Sequence, residues 1–138
     1  MRFQLPDDKK LVHETTIQLR WGDQDLMAHI NNANYFRYLE QARIEWLIKI
    51  GAPPNPRGTG PVIANAFCNF YRQLEYPGTV LAKHYIANLG SASFDTFITL
   101  ERTDDLGVIY AEGGATTVWV DFDQKRSVPV PDWVRELF

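Results

Sequence analysis

Apolar residues recur at two different spacings in the N-terminal part of the chain. Ile17, Leu19 and Trp21 follow Thr15 at every second position, with polar residues between them. This alternation predicts a strand with one buried face. From about Asn34 to Ile50 the apolar positions recur every three or four residues, which predicts a long amphipathic helix. The predicted buried stripe of this helix comprises Tyr35, Tyr38, Leu39, Ala42, Trp46, Leu47 and Ile50.

Both ends of the predicted helix carry capping signals. Asn31 or Asn32 supplies a side chain for the first N–H groups, and Gly51 with the prolines after it ends the helix. Three further apolar residues fall outside the main stripe: Phe36, Ile44 and Ile48. A stripe this wide predicts that the helix is covered on more than one side.

The remainder of the chain has the pattern of an antiparallel sheet. Strands are predicted after a loop at Pro53–Pro61: from Val62 onward, at Val80–Leu89, at Phe94–Arg102 and at Val108–Phe122. The sequence Tyr76-Pro77-Gly78-Thr79 predicts a type II turn between two antiparallel strands. Gly113-Gly114 predicts either a bulge or close approach of another backbone or a ligand. A short terminal helix capped by Asp132 is expected at the end of the chain.

The order of these elements predicts an α+β fold. Residues 1–138 form a single domain, in which an antiparallel five-stranded sheet curls around one long central helix. The last strand is long and carries few charges at its edges. We therefore expect it to pair with a second subunit.

Composition narrows the class of protein and its partners. The 138 residues are 45% hydrophobic and 22% charged, which excludes a disordered chain. A net charge of -3 gives no general attraction to nucleic acid or to an anionic membrane. The N-terminus lacks a signal peptide's apolar region, and no run reaches the ~20 residues of a membrane helix, so a cytoplasmic location is expected. The single cysteine, Cys68, is predicted to be a small buried side chain.

The loop between the first strand and the helix concentrates polar chemistry. Asp23, Asp25 and His29 lie in it, directly before the positive end of the helix. A carboxylate at this place can act as a nucleophile or as a general base, and the helix N–H groups can stabilise an oxyanion. We expect Asp25 to take the reactive role and Asp23 to be structural, partnered with Arg20 or capping the loop.

Other interpretations of the same residues remain open. An Asp-x-Asp at a strand end is also common turn chemistry, and a loop histidine is often structural. Asp23, Asp25 and His29 are all potential metal ligands, although a tight site usually needs more ligands at suitable spacing, and no metal is predicted. Tyr35 belongs either to the core or to the lining of a pocket.

The segment Arg20-Trp-Gly-Asp-Gln-Asp-Leu-Met-Ala-His-Ile-Asn-Asn-Ala-Asn-Tyr-Phe-Arg-Tyr-Leu-Glu-Gln-Ala-Arg43 resembles the signature of the hotdog-fold thioesterases. The resemblance is to the 4-hydroxybenzoyl-CoA thioesterase-like acyl-CoA thioesterases, and it extends in element order over nearly the whole chain. It implies that Asp25 is the catalytic carboxylate. It also implies that the backbone N–H of Asn32 polarises the thioester carbonyl and that His29 lies in the same site.

The resemblance implies further partners as well. Asn31 and Tyr35 would contact the substrate, and coenzyme A would bind at the interface of a homodimer or homotetramer, without a cofactor. Four residues are candidates for the coenzyme A region: Ser91, Ser93, Lys125 and Arg126. Ala28 replaces a glycine that usually precedes the histidine in this family. If this position requires a positive φ, alanine costs about 1 kcal/mol there.

The sequence therefore favours an acyl-CoA thioesterase, which hydrolyses a thioester to a free acid and coenzyme A. The alternative is a non-catalytic module that binds acyl thioesters or regulates through them, because a fold does not determine an activity. A dehydratase on the same fold is a weaker possibility, since the histidine motif expected for that chemistry is absent from this sequence.

Overall fold

The computed structural model describes residues 3–52 and 58–138. One long helix packs on an antiparallel sheet. The elements are β1 (Lys10–Gln18), a short 3-10 helix (Trp21–Asp23), α1 (Asn32–Lys49), β2 (Thr59–Phe70), β3 (Thr79–Ala87), β4 (Ser93–Arg102), β5 (Ile109–Asp121), β6 (Arg126–Ser127) and α2 (Asp132–Arg135). The strand order is β1-β3-β4-β5-β2, and the two-residue β6 pairs with β5. The predicted α+β hotdog architecture is confirmed.

The helix α1 follows its sequence pattern closely. It begins at Asn32, two residues before the predicted start, because Asn31 caps it by accepting a hydrogen bond from the Ala33 N–H. Gly51 adopts a φ of 84° just after the last turn, a backbone conformation that glycine accepts without steric cost. Six residues of the predicted stripe are buried: Tyr35, Tyr38, Leu39, Ala42, Trp46 and Leu47. Part of the predicted Pro53–Pro61 loop, residues 53–57, lies outside the described residues.

The inner face of the sheet closes tightly on the helix. A methyl group added to Gly113 would lie 2.5 Å from a Leu39 methyl group and 2.7 Å from the Phe67 carbonyl oxygen. Gly113 therefore permits the close approach that the Gly113-Gly114 pair predicted, and the sheet register is regular there. Cys68 packs against the same core, where burial raises the pKa of its thiol to about 12.

The prediction that the last strand pairs with a second subunit was wrong. β5 lies inside the sheet between β4 and β2, so its edges are already paired. The free edge at that side belongs to β2, whose residues 62–66 are all exposed. The expected neighbours β2 and β3 do not pair, because the segment between them crosses from one edge of the sheet towards the other. Gly78 lacks the positive φ of a type II turn, and the Tyr76–Pro77 peptide bond is cis.

The C-terminal segment adds a short helix to the second core cluster. Val134 of α2 is buried together with Trp46 and Phe94. Pro131 is the N-cap of α2 and Asp132 is its first residue, so the predicted capping by Asp132 was wrong. None of the helices in the described part of the chain is long and apolar enough to cross a membrane.

Candidate active site

The loop before α1 is anchored to the helix through Asp23. The Tyr38 hydroxyl donates to one carboxylate oxygen of Asp23 at 2.7 Å, and the Arg20 N–H donates to the same oxygen at 3.3 Å. The Asp23 carbonyl accepts from the Asn31 N–H and from the Asn34 amide, each at 2.9 Å. Burial, and then the bond to Asp23, raise the pKa of Tyr38 far above its usual range. Asp23 therefore has the structural role expected of it.

Asp25 presents its carboxylate at the surface of the loop. One carboxylate oxygen accepts from the Met27 N–H at 2.9 Å and from the His29 N–H at 3.3 Å. The carboxylate is thus held by N–H groups of its own loop rather than by those of the helix. The other carboxylate oxygen has no hydrogen-bond partner within residues 3–52 and 58–138, and the side chain is exposed to solvent.

The turn after Asp25 requires an unusual backbone conformation at one residue. Ala28 has a φ of 58°, in the left-handed region where a Cβ is unfavourable. Its N–H donates to the Asp25 carbonyl at 3.1 Å, which closes the turn. The next side chain, His29, is partly buried, and its Nε2 lies 3.5 Å from a Glu75 carboxylate oxygen. The turn thus directs Asp25 outward and His29 towards the segment after β2.

The start of α1 leaves one N–H group available. Asn31 accepts from the Ala33 N–H with its side chain and from the Asn34 N–H with its carbonyl, both at 2.9 Å. The N–H of Asn32, the first of the helix, donates to no other described residue. This group lies at the positive end of the helix dipole, where an oxyanion is stabilised.

A small cavity of about 110 Å³ adjoins this N–H group. Its lining comprises Asn32, Tyr35, Phe70, Tyr71, Arg72 and Gln73. Tyr35 is almost completely buried and its hydroxyl accepts from the Leu74 N–H at 3.1 Å, so it is a core residue that also forms one wall. Burial is the main cause that raises the pKa of Tyr35.

Sequence patterns did not identify the residues that the segment after β2 brings to the site. Arg72 is exposed and is the one cation among the described residues that line the cavity. Its N–H donates to the Tyr110 carbonyl, which holds this segment against β5. In the sequence, Arg72 is a basic residue just after the aromatic end of β2. No sequence pattern connects it with the loop before α1, about forty residues earlier.

The other predicted coenzyme A residues lie far from Asp25 within one chain. Ser93 pairs with Val118 and Arg126 with Asp121, whereas Phe70 beside the cavity pairs with Ala111. The two groups are therefore separated by most of the length of β5, about 20–30 Å at ~3.3 Å per residue. The structure brings together Asp25, His29, Asn31, Asn32 and Tyr35, and it leaves Ser91, Ser93, Lys125 and Arg126 at the opposite end of the sheet.

Comparison with known proteins identifies the family. The model of the thioesterase-like superfamily matches residues 19–138, so the chain belongs to that superfamily. Its class is therefore that of the hotdog-fold thioesterases, and the enzyme class predicted from the sequence, thioester hydrolase, is confirmed.

Particular relatives match between about two-fifths and nine-tenths of this chain. A solved candidate thioesterase from Pseudomonas aeruginosa is 35% identical, with a TM-score of 0.89 over 93% of this chain and 98% of that one. A solved candidate acyl-CoA thioesterase from Xanthomonas campestris is 34% identical, with a TM-score of 0.74 over 81% and 95%. A protein of Aquifex aeolicus, named a candidate esterase, is 28% identical over 68% of this chain and 75% of its own length. A shorter match, 29% identical, spans only 40% of an uncharacterized Bacillus subtilis protein.

Proposed function

We propose that the protein is an acyl-CoA thioesterase in which Asp25 attacks the thioester carbonyl or activates a water molecule to do so. The observation that carries the proposal is the pairing of two groups at one end of the molecule. One is an exposed carboxylate with one oxygen oriented by backbone N–H groups, and the other is the first N–H of α1, with no partner among the described residues.

The roles follow from the charge that develops during hydrolysis. Attack on the carbonyl carbon places negative charge on the carbonyl oxygen, which the Asn32 N–H stabilises at the positive end of α1. The Asp25 carboxylate supplies the nucleophile or removes a proton from water. His29 and Asn31 fix the position of the loop relative to the start of the helix. Water is consumed, the C–S bond breaks, and the products are a free acid and coenzyme A.

Replacement of Asp25 by Asn tests the assignment. The substitution keeps the size of the side chain and an oxygen that can accept from Met27 and His29, but it removes the charge. We expect kcat/KM for release of free thiol from acyl-CoA to fall at least a hundredfold, with the unfolding temperature retained. Asp8→Asn, the same change at an exposed acid near the N-terminus, serves as the control. Unchanged turnover in Asp25→Asn would remove Asp25 from the mechanism.

A non-catalytic binding module is the second candidate. The hydrogen bonds that Asp25 accepts from Met27 and His29 are also those of a purely structural Asx turn. This favours a loop that has no catalytic role. Under this alternative, acyl-CoA binds measurably in calorimetry, and no member of a panel of acyl-CoAs releases thiol.

We also propose that the active unit is a homodimer joined edge to edge through β2. An open strand edge is a template for pairing, and its apolar surroundings favour coverage. The exposed apolar residues of this strand are Val62, Ile63 and Phe70. A two-fold axis through the middle of β2 would place Thr59 of one copy opposite Phe70 of the other. Ser91, Ser93, Lys125 and Arg126 of one copy would then approach the other copy's Asp25 end, where coenzyme A is expected. The cytoplasmic location stays a prediction from composition.

A further inference from the structure

A second cavity, of about 120 Å³, lies between the C-terminal half of α1 and the inner face of the sheet at β2. Ile44 and Leu47 of the helix and Ile63 and Phe94 of the sheet make its walls largely apolar. An engineered apolar cavity of about 150 Å³ holds a benzene molecule. The groove is somewhat smaller than that cavity but is open on one side, so it can take a chain of a few carbon atoms or part of a ring.

Two charged side chains, Glu40 and Arg43, line this apolar groove, and only Glu40 has an ion-pair partner among the described residues. Arg43 lines the groove, and its guanidinium forms no hydrogen bond or ion pair with any residue in the described ranges. Glu40, one turn earlier, is committed to Arg37, with 2.9 Å between the charged groups. Burial lowers the pKa of Arg43, while the charge of Glu40 opposes this. A partly dehydrated cation without a partner is unfavourable, so the structure is most stable when an anion occupies the groove.

The groove adjoins the proposed reaction centre only in the dimer. At ~1.5 Å per residue, Arg43 lies roughly 16 Å along α1 from Asn32, too far for a short acyl group within one chain. Two copies paired through the middle of β2 bring the Phe70 end of one strand beside the Thr59 end of the other. The Arg43 groove of one copy then lies next to the Asn32 cavity of its neighbour.

We infer that this groove receives the far end of the acyl group and that Arg43 selects acyl groups carrying a carboxylate there. The inference rests on the proposed thioesterase function and names its substrate class: thioesters of short dicarboxylic acids or of carboxylated aromatic acids. A guanidinium binds a carboxylate through two parallel hydrogen bonds, and Thr96 and Thr117 add hydroxyl groups to the same lining. The apolar walls accept the carbon atoms between the two carbonyl groups.

Matched pairs of substrates test this selection. Glutaryl-CoA and pentanoyl-CoA differ by the terminal carboxylate, and 4-carboxybenzoyl-CoA and benzoyl-CoA form the aromatic pair. In at least one pair we expect kcat/KM of the carboxylated substrate to exceed that of its partner tenfold or more. The pair that shows this preference distinguishes an aliphatic from an aromatic acyl group. In Arg43→Met we expect this preference to fall at least tenfold, whereas Arg43→Lys retains part of it.

Lys49→Met is the matched control, because it removes a cation from an exposed position of the same helix that does not line the groove. It should leave the ratio within each pair as in the unaltered protein. Equal losses for both members of a pair in Arg43→Met, or a preference for the uncharged member in the unaltered protein, would overturn the inference. So would dissociation of the Arg43→Met dimer in sedimentation, since the missing counterion would then be an acid of the second copy.

Binding measurements separate this inference from the proposed function. If no acyl-CoA releases thiol, the affinities of glutaryl-CoA and pentanoyl-CoA are compared by calorimetry. A carboxylate preference in binding that disappears in Arg43→Met would support the groove while the proposed hydrolysis fails. Equal affinities would contradict the groove as well.

Discussion

At the scale of single residues, the turn between Asp25 and His29, part of the proposed active site, contains a residue that is unfavourable in its backbone conformation. Ala28 holds a φ of 58°, where a Cβ costs about 1–2 kcal/mol. Glycine relieves this cost, but it loses about 0.5–1 kcal/mol through the greater freedom of the unfolded chain. The first effect is the larger, so a glycine at position 28 would make the folded protein more stable than the alanine that is present.

We therefore predict that Ala28→Gly raises the free energy of unfolding by up to about 1 kcal/mol. Chemical denaturation of the two proteins measures the difference. Ala33→Gly is the control, because Ala33 lies in the first turn of α1, where glycine only costs stability, by up to about 1 kcal/mol. A loss in Ala28→Gly as large as that of the control would contradict the assigned backbone conformation.

Single residues also show how far the site was predictable from sequence. Asp25, His29 and Asn32 were predicted because they lie within one loop and one helix start, where spacing along the chain implies spacing in the structure. The hydrogen-bond partners of Asp25 were not predicted, because loop N–H groups compete with helix N–H groups and only the folded geometry decides between them. Arg72 and Glu75 were not predicted, because the segment after β2 approaches the loop only in the folded chain.

At the scale of elements, α1 and the sheet enclose an imidazole. His84 of β3 is completely buried, its ring centroid lies 5.1 Å from that of Trp46, and neither ring nitrogen has a hydrogen-bond partner among the described residues. Burial is the main cause that lowers the pKa of His84 to about 3, and the nearby Arg43 and His13 lower it further. The packing of helix on sheet thus requires a neutral His84.

This requirement predicts an acid dependence of stability. Unfolding returns the pKa of His84 to about 6.5, so between pH 6.5 and 3 the unfolded chain binds the extra proton. The free energy of unfolding should then decrease as the pH falls from 6.5, by at most ~1.4 kcal/mol per pH unit for this group. His84→Leu should remove this component, measured as the difference between the two denaturation series from pH 7 to 4. If the free energies of unfolding of the two proteins changed with pH in the same way, His84 would be protonated or solvated in the native protein.

Elements were more predictable than their arrangement. The periodic patterns of α1 and of the strands determine which residues face the core. The predicted and observed ranges of these elements agree within a few residues. The strand order was not predictable, because β2 crosses the molecule to pair with β5, and no local pattern records that pairing. The long β5 is apolar because both of its edges and its inner face are covered, rather than because it meets a second subunit.

At the scale of the whole molecule, the open edge of β2 connects the proposed site to the proposed dimer. Phe36, one of the residues outside the main helix stripe, is exposed, so no element of the described part of the chain fully covers that side of α1. A second copy paired through β2 would lie against this flank of α1. The wide apolar stripe and the uncovered strand would then have the same cause.

A charge at the middle of β2 tests this interface. Ala64 is exposed near the centre of the strand, so a two-fold axis there would bring two introduced lysines close together. We expect Ala64→Lys to weaken dimerisation at least tenfold, as sedimentation velocity over a range of concentrations would measure. Thiol release should fall in parallel, because in the proposed dimer each site needs the second copy. Raising the ionic strength should restore part of both, since salt screens the repulsion.

Leu106→Lys provides the control for this change. Leu106 lies in the exposed turn after β4, so a lysine there adds the same charge away from the β2 edge. It should leave both the association and the activity as they are in the unaltered protein. If Ala64→Lys remains a dimer with full activity, or if the unaltered protein is an active monomer, the β2 edge is not the interface. The coenzyme A residues at the far end of the sheet would then have no route to Asp25.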